Sequence, residues 1–145
     1  MTPTQLIHAI QSTDLERKPF YADEMVVPVM GITPAQVNAG YYIMLPVHML
    51  KLTVTGIFIR VNSAGIGALT SLDIATDEAT PVNIASVLQA NLTSGVKLNE
   101  ASTNTVLGAG FATTLNQGVG IKVGKTGSNA TGAFTLDVIL RLTAK

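Results

Sequence analysis

Gly124-Lys125-Thr126 has the ending of a phosphate-binding P-loop. Such a loop wraps phosphates in backbone N–H groups at the start of a helix and lays its lysine on the phosphate oxygens. It needs a glycine five residues before the Gly-Lys pair, where this chain has Val119, with Gly118 and Gly120 one place off on either side. Nor does a helix-forming stretch follow, since Gly127, Ser128, Asn129 and Gly132 come next. A hairpin loop accounts for the triplet better. Gly118-Val-Gly120 is not a dinucleotide fingerprint either, because Val123 stands where its third glycine belongs.

Other chemistries fail for equally concrete reasons. Asp73, Asp77 and Glu78 are close enough in sequence to approach a calcium ion, yet they lack the alternating oxygen donors of such loops and read as a solvated turn. His8 and His48 have no acidic neighbour at zinc-ligand spacing. The chain has no cysteine, which removes thiolate nucleophiles, thiolate metal sites and disulfides. It also lacks a Gly-x-Ser-x-Gly nucleophile elbow. An enzyme of this size ordinarily carries acids, bases or nucleophiles in its loops. Here the loops hold Gly, Ala, Ser, Thr and Asn. The expectation is a non-enzyme with no catalytic residue, no cofactor and no metal. Nine basic and nine acidic residues cancel, and no basic stripe is interleaved with aromatics, so nucleic acid is not an expected partner.

The elements that must carry the surface are strands. In Phe134, Leu136, Val138, Leu140 and Leu142 one parity is apolar, while Thr135, Asp137 and Arg141 occupy the other. Side chains on a strand alternate between faces, so this is a half-buried strand. Val119, Ile121 and Val123 form a second one, with polar Lys125 to Thr131 as the hairpin loop joining the two. Leu50, Leu52 and Val54 alternate cleanly, and after Gly56 the apolar parity switches to Ile57, Ile59 and Val61. A parity change at a glycine marks a β-bulge, so residues 49–61 form one long bent strand. Met25 to Met30 is an extended segment that Pro28 confines to a sheet edge, and Tyr41 to Val47 is a strand that Pro46 sends toward an edge or a bend. Asn62 to Gly65 makes a turn, and Ala68 to Thr76 a strand with Leu72 and Ile74 inward. Short strands are expected at Val96–Leu98, Thr105–Leu107 and Phe111–Leu115.

Helices are few. Thr33-Pro34-Ala35-Gln36 has a capping pattern, but Gly40 leaves room for only a single turn. Thr80-Pro81, followed by Ile84, Val87 and Leu88 at helical spacing, predicts the main internal helix. The fold class is therefore mainly β: an antiparallel β-sandwich or jelly roll with one short internal helix and an N-terminal helical arm. Residues 1–24 form the arm and residues 25–145 a single domain.

In the arm, Thr2-Pro3-Thr4-Gln5 caps a short stripe of Leu6, Ile7 and Ile10, and Phe20-Tyr21 follows Pro19. Two readings stand: a solvated helix across one end of the sandwich, or an arm whose apolar stripe docks on a neighbouring subunit. The amino terminus lacks the basic and long apolar runs of a signal peptide. Pro46, His48, Lys51 and Arg60 interrupt the most apolar window, so a membrane span is not expected. The expectation is a soluble protein made inside a cell. Only 12% of residues are charged while 47% are hydrophobic, which implies that other chains cover part of the surface. Ile139, apolar on the polar parity of the last strand, is the candidate contact there, with Val61 and Ile66 as analogues.

The closing pattern Gly118-x-x-Ile121-Lys-Val123, then Gly132-Ala-Phe-Thr-Leu-Asp-Val-Ile-Leu140, with Ala/Thr/Gly/Asn-rich linkers, resembles the small virion structural proteins of tailed bacteriophages. The likeness is above all to jelly-roll capsid cement or decoration proteins, over residues 37–145. It implies homotrimers at threefold positions between capsomers. These would bind the major capsid protein and clamp the shell against packaged genome, so that a protein made in the host cytoplasm ends on the capsid surface. The interface residues would be Leu6, Ile7, Ile10, Phe20, Tyr21 and Ile139. Two other functions fit the same sandwich: another virion component (tail, adaptor or head-fibre base), or a carbohydrate-binding module, for which three Tyr, four Phe and no Trp supply few aromatics.

Overall fold

A computed structural model describes residues 24–144. Strands β1 (Glu24–Ile32), β2 (Tyr41–Met44), β3 (Leu52–Asn62), β4 (Gly67–Asp77), β5 (Asn83–Leu88), β6 (Lys97–Asn99), β7 (Val106–Leu107), β8 (Gly120–Thr131) and β9 (Thr135–Ala144) build two antiparallel sheets. One is four-stranded in the order β1-β9-β3-β6, the other five-stranded in the order β2-β8-β4-β5-β7. They pack face to face as a β-sandwich.

The inner faces follow the alternation in the sequence. Leu136, Val138, Leu140 and Leu142 of β9 are fully buried. In β3, Leu52 and Val54 are buried before the bulge and Ile57, Ile59 and Val61 after it. The register against β9 shifts between Val54 and Gly56, as the parity change requires. A Cβ at Gly56 would lie 2.3 Å from Nε of Arg141, so a larger residue there would make that flexible side chain move aside. Pro28 lies on β1, which pairs only with β9 among the described residues and so forms an edge, where a missing N–H is tolerated. Tyr41–Met44 is likewise an edge strand.

Several expectations need correction. Lys125 to Thr131 is not a loop, because β8 runs on to Thr131 and pairs with β4 as far as Gly67. Exposed Thr126, Gly127, Ser128 and Asn129 show no alternation, since that end of the sheet faces water. Its backbone is held by β4 and by Asn38, whose side chain accepts from Ala130 N at 2.7 Å and donates to Ala130 O at 3.3 Å. Nor do β8 and β9 form a hairpin. Gly132 and Ala133 carry the chain from one sheet to the other, and Phe134 is buried at the crossing.

The helix expected after Thr80-Pro81 is strand β5. Ile84, Ala85 and Val87 are buried, but Leu88 is 54% exposed. A short apolar run satisfies both periods, and β-branched Ile84 and Val87 suit a strand once β4 and β7 flank them. Thr76 Oγ1, not a cap at Thr80, accepts the Val82 N–H at 2.8 Å. The internal helix is instead α1 (Pro34–Ala39), longer than the single turn expected. Thr33 Oγ1 accepts from Gln36 N while Gln36 Oε1 accepts from Thr33 N, a reciprocal cap, and Val37 anchors the helix in the core. Phe111 to Leu115 forms no full strand, only isolated bridges beside the start of β3.

Asp137 also departs from its parity. It is 6% exposed, because its carboxylate accepts from Gly31 N and from Asn62 Nδ2, each at 2.9 Å. Val61 and Ile66 are core residues, at 0% and 1% exposure, so they are not surface analogues of Ile139.

Candidate functional site

The outer face of the five-stranded sheet carries a shallow polar depression of about 600 Å³. Strand alternation builds it: on β4, Ser71, Asp73, Ala75 and Asp77 share the outward parity, while Leu72, Ile74 and Thr76 are buried. Register places Thr126, Gly124 and Lys122 of β8 opposite Ser71, Asp73 and Ala75, and Ser86 of β5 on the other side of Asp73. Ala75 and Gly124 leave the floor without bulk, and a Cβ on Gly124 would meet nothing within 4 Å.

Two carboxylates organise the rim. Asp73 Oδ1 accepts from Ser71 Oγ at 2.9 Å and Ser86 Oγ at 2.7 Å, and its Oδ2 accepts from Thr126 Oγ1 at 2.7 Å. Asp77 accepts the phenolic proton of Tyr42 on Oδ2 and pairs through Oδ1 with Lys122 Nζ at 3.1 Å. That ammonium also lies 4.6 Å from the Tyr42 ring centroid, within cation–π range.

The hydrogen bonds from Tyr42 and Lys122 hold the Asp77 carboxyl below the usual carboxylate range. The same contacts with Asp77 push Tyr42 and Lys122 up. On the opposite sheet, burial pushes Glu100 up, but N–H groups of Glu100 and Ile57 and the Arg141 guanidinium outweigh it and hold the carboxyl low. A carboxylate with a lowered folded pKa stabilises fully above its unfolded value and loses that contribution as pH falls through the folded one. The raised groups stabilise below their unfolded values and lose that contribution as pH rises through the folded ones. The thermal midpoint should therefore be flat from about pH 5 to about pH 9 and fall on both sides. Asp77→Asn should shrink the alkaline fall, as a pH series of melting curves would read.

Asp73, Asp77 and Glu78 do not converge. Glu78 accepts from Thr76 Oγ1 and Asn116 Nδ2, each at 2.9 Å, away from the other two acids. Among the described residues no three His, Asp or Glu side chains gather as metal ligands would. Gly124-Lys125-Thr126 lies within β8, and Lys125 Nζ donates to Gly127 O of its own strand at 2.8 Å. What the depression offers chemically is hydrogen bonding: hydroxyls, carboxylates and the side chains of Lys122 and Lys125 around a floor without bulk.

The expected contact residue Ile139 lies elsewhere, on the outer face of the four-stranded sheet. It is half-buried between Pro28 of β1 and Phe58 of β3, beside a hollow of about 290 Å³. Val26 and Met30, at 59% and 62% exposure, extend the apolar row along β1. Neither stood out in the sequence, because Met25 to Met30 is apolar on both parities and gives no sign of which face is outside. Leu6, Ile7, Ile10, Phe20 and Tyr21 lie outside the described residues, as does His8. His48 is exposed and packs over Gly118, apart from both faces.

Fold and surface together define an antiparallel β-sandwich with exposed apolar side chains on both outer faces and a hydrogen-bonded polar cluster on the five-stranded one. In comparisons with known proteins, no family model, no curated protein and no solved structure matches the chain. Among the described residues no helix is long and apolar enough to cross a membrane.

Proposed function

We propose that the protein is a tailed-bacteriophage virion component, a capsid cement that stabilises the head by bridging major capsid subunits as a homotrimer. The observation that carries this reading is the placement of exposed apolar side chains on opposite outer faces of one two-layer body. Val26 and Met30 flank Ile139 and Phe58 on one face, and Leu88 and Val106 project from the other. A clamp needs buried area on more than one partner and no reacting group, and a standard interface buries about 1,600 Å². The polar side chains of the depression bond to one another, which suits a preformed contact surface. The test is sedimentation of purified particles. The protein should travel with intact heads at a fixed ratio to the major capsid protein, and light scattering of the free protein should give a trimer. Absence from particles overturns the reading, and presence only in tails moves the protein to another virion role.

The depression favours a second reading, a carbohydrate-binding module. Paired carboxylates, hydroxyls and an open Ala75–Gly124 floor suit a polyhydroxylated ring. Gly124→Val would fill that floor within a strand that tolerates a branched residue, with a stability change under about 0.5 kcal/mol. A glycan screen should then show binding by the native chain and none by the variant. A blank screen for the native chain removes this reading.

A further inference from the structure

The depression on the five-stranded sheet is lined by hydroxyls whose protons are already committed. Ser71 Oγ and Ser86 Oγ donate to Asp73 Oδ1 at 2.9 and 2.7 Å, and Thr126 Oγ1 donates to Oδ2 at 2.7 Å. A hydroxyl has one proton, so one that donates to a carboxylate has only lone pairs left for a visitor. The two ammonium groups at the depression are engaged elsewhere, Lys122 with Asp77 at 3.1 Å and Lys125 with Gly127 O at 2.8 Å. Among the described residues Asp73 forms no ion pair. The array around Asp73 therefore accepts hydrogen bonds and carries a carboxylate with no counter-cation. Its complement is a cation with several donors.

Shape narrows the choice. Gly124 lies directly opposite Asp73, and a Cβ there would meet nothing within 4 Å, so a flat group can lie on the strand backbone beside the carboxylate. Guanidinium is planar and carries five N–H donors, whereas an ammonium is a compact point charge. Exposed Leu88 is the diagonal neighbour of Asp73 on β5, about 7 Å away. Exposed Val106 stands beyond Ser86 on β7. Together they can cover the aliphatic stem of a long side chain whose charged head reaches Asp73. We infer that the depression takes an arginine side chain of the protein's partner, its guanidinium on the oxygens of Asp73, Ser86 and Thr126 above Gly124 and its methylenes on Leu88 and Val106. The choice of a protein partner rests on the virion reading, in which this face meets a major capsid subunit.

N-acetyl-arginine amide, titrated into the full-length protein and followed by amide chemical shifts, tests the site without a capsid. The shifts should saturate and centre on Asp73, Ser86, Gly124 and Thr126. N-acetyl-citrulline amide, the neutral isostere, should bind about fivefold more weakly. Asp73→Asn should abolish that preference, and Gly124→Val should weaken the arginine probe several-fold by filling the floor. Unchanged shifts in the four-stranded sheet would show that both variants are folded. The preference should also shrink several-fold between about 0.05 and about 0.5 M salt, because the pair is exposed. Equal affinity for the two probes, or a preference for arginine that survives Asp73→Asn, would overturn the inference. So would tighter binding of methyl glucoside at the same residues, which would favour the carbohydrate reading. On heads stripped of the native chain, Asp73→Asn should bind about tenfold more weakly than the native protein. Equal binding there overturns this inference and leaves the virion reading standing. A native chain that binds no heads removes the virion reading, and the probe titration still decides whether the site takes a guanidinium.

Discussion

Replacing Asp137 by alanine is expected to lower the unfolding free energy by about 3 kcal/mol. The carboxylate is 6% exposed and is the hydrogen-bond partner of Gly31 N and Asn62 Nδ2. Alanine removes two charge-assisted bonds, each worth about 1.5–3 kcal/mol at most, from part-buried partners that water can partly satisfy. The site also ties the irregular end of β1 to the middle of its sheet, since the β1–β9 register shifts between Val29 and Ile32, around Gly31. Asp137→Asn should cost less than half as much, because an amide oxygen still accepts one bond. Urea unfolding followed by far-ultraviolet circular dichroism would read both variants as midpoint shifts with unchanged slope. A loss under about 0.5 kcal/mol for the alanine variant would mean that the two donors find other partners.

Gly108→Ala should be comparably severe for a steric reason. A Cβ at Gly108 would lie 2.2 Å from the backbone oxygen of Asn83 and 2.7 Å from its carbonyl carbon. Neither atom can swing aside as a side-chain tip would, so the backbones must part. Gly108 N donates to Ile84 O at 2.9 Å, and Gly110 N to Asn83 O at 2.9 Å, so the shift breaks the contact that carries β7 on β5. A loss of about 3 kcal/mol follows, with faster hydrogen exchange at Gly108 and Gly110. Gly124→Ala is the control within the same sheet: open space surrounds its Cβ, and stability should stay within about 0.5 kcal/mol. Equal effects at the two glycines would show that close approach is not what distinguishes them.

The candidate surfaces were only partly legible in the sequence. Ile139 could be singled out because β9 alternates strictly and an isoleucine on the polar parity breaks the rule. Its neighbours Val26, Phe58 and Met30 could not, because register against two other strands brings them together. The polar depression was visible only as scattered residues. Asp73, Ser86 and Thr126 lie far apart in the chain and meet because β5, β4 and β8 are adjacent. Asp73, Asp77 and Glu78 read as a solvated turn, yet Asp73 and Asp77 lie on β4 and each carboxylate has its own partners. The hairpin expected of the two closing strands was not legible either way, because β8 and β9 lie in different sheets and only their partners there set the pairing.

By itself, the order of residues determined which side of β3, β4 and β9 faces inward. The period-two apolar pattern of β9, and its one-residue switch at Gly56 in β3, are local properties that burial then reads directly. Composition likewise determined that a β-sandwich must hide much apolar surface behind few charges. Only the tertiary structure decided that Asn83 to Leu88 is a strand, that Lys125 to Thr131 continues one, and that Asp137 is buried. Those segments have weak or ambiguous local preferences, and their conformations are set by hydrogen bonds to distant backbone and side chains: β4 and β7 for the first, β4 and Asn38 for the second, Gly31 and Asn62 for the third.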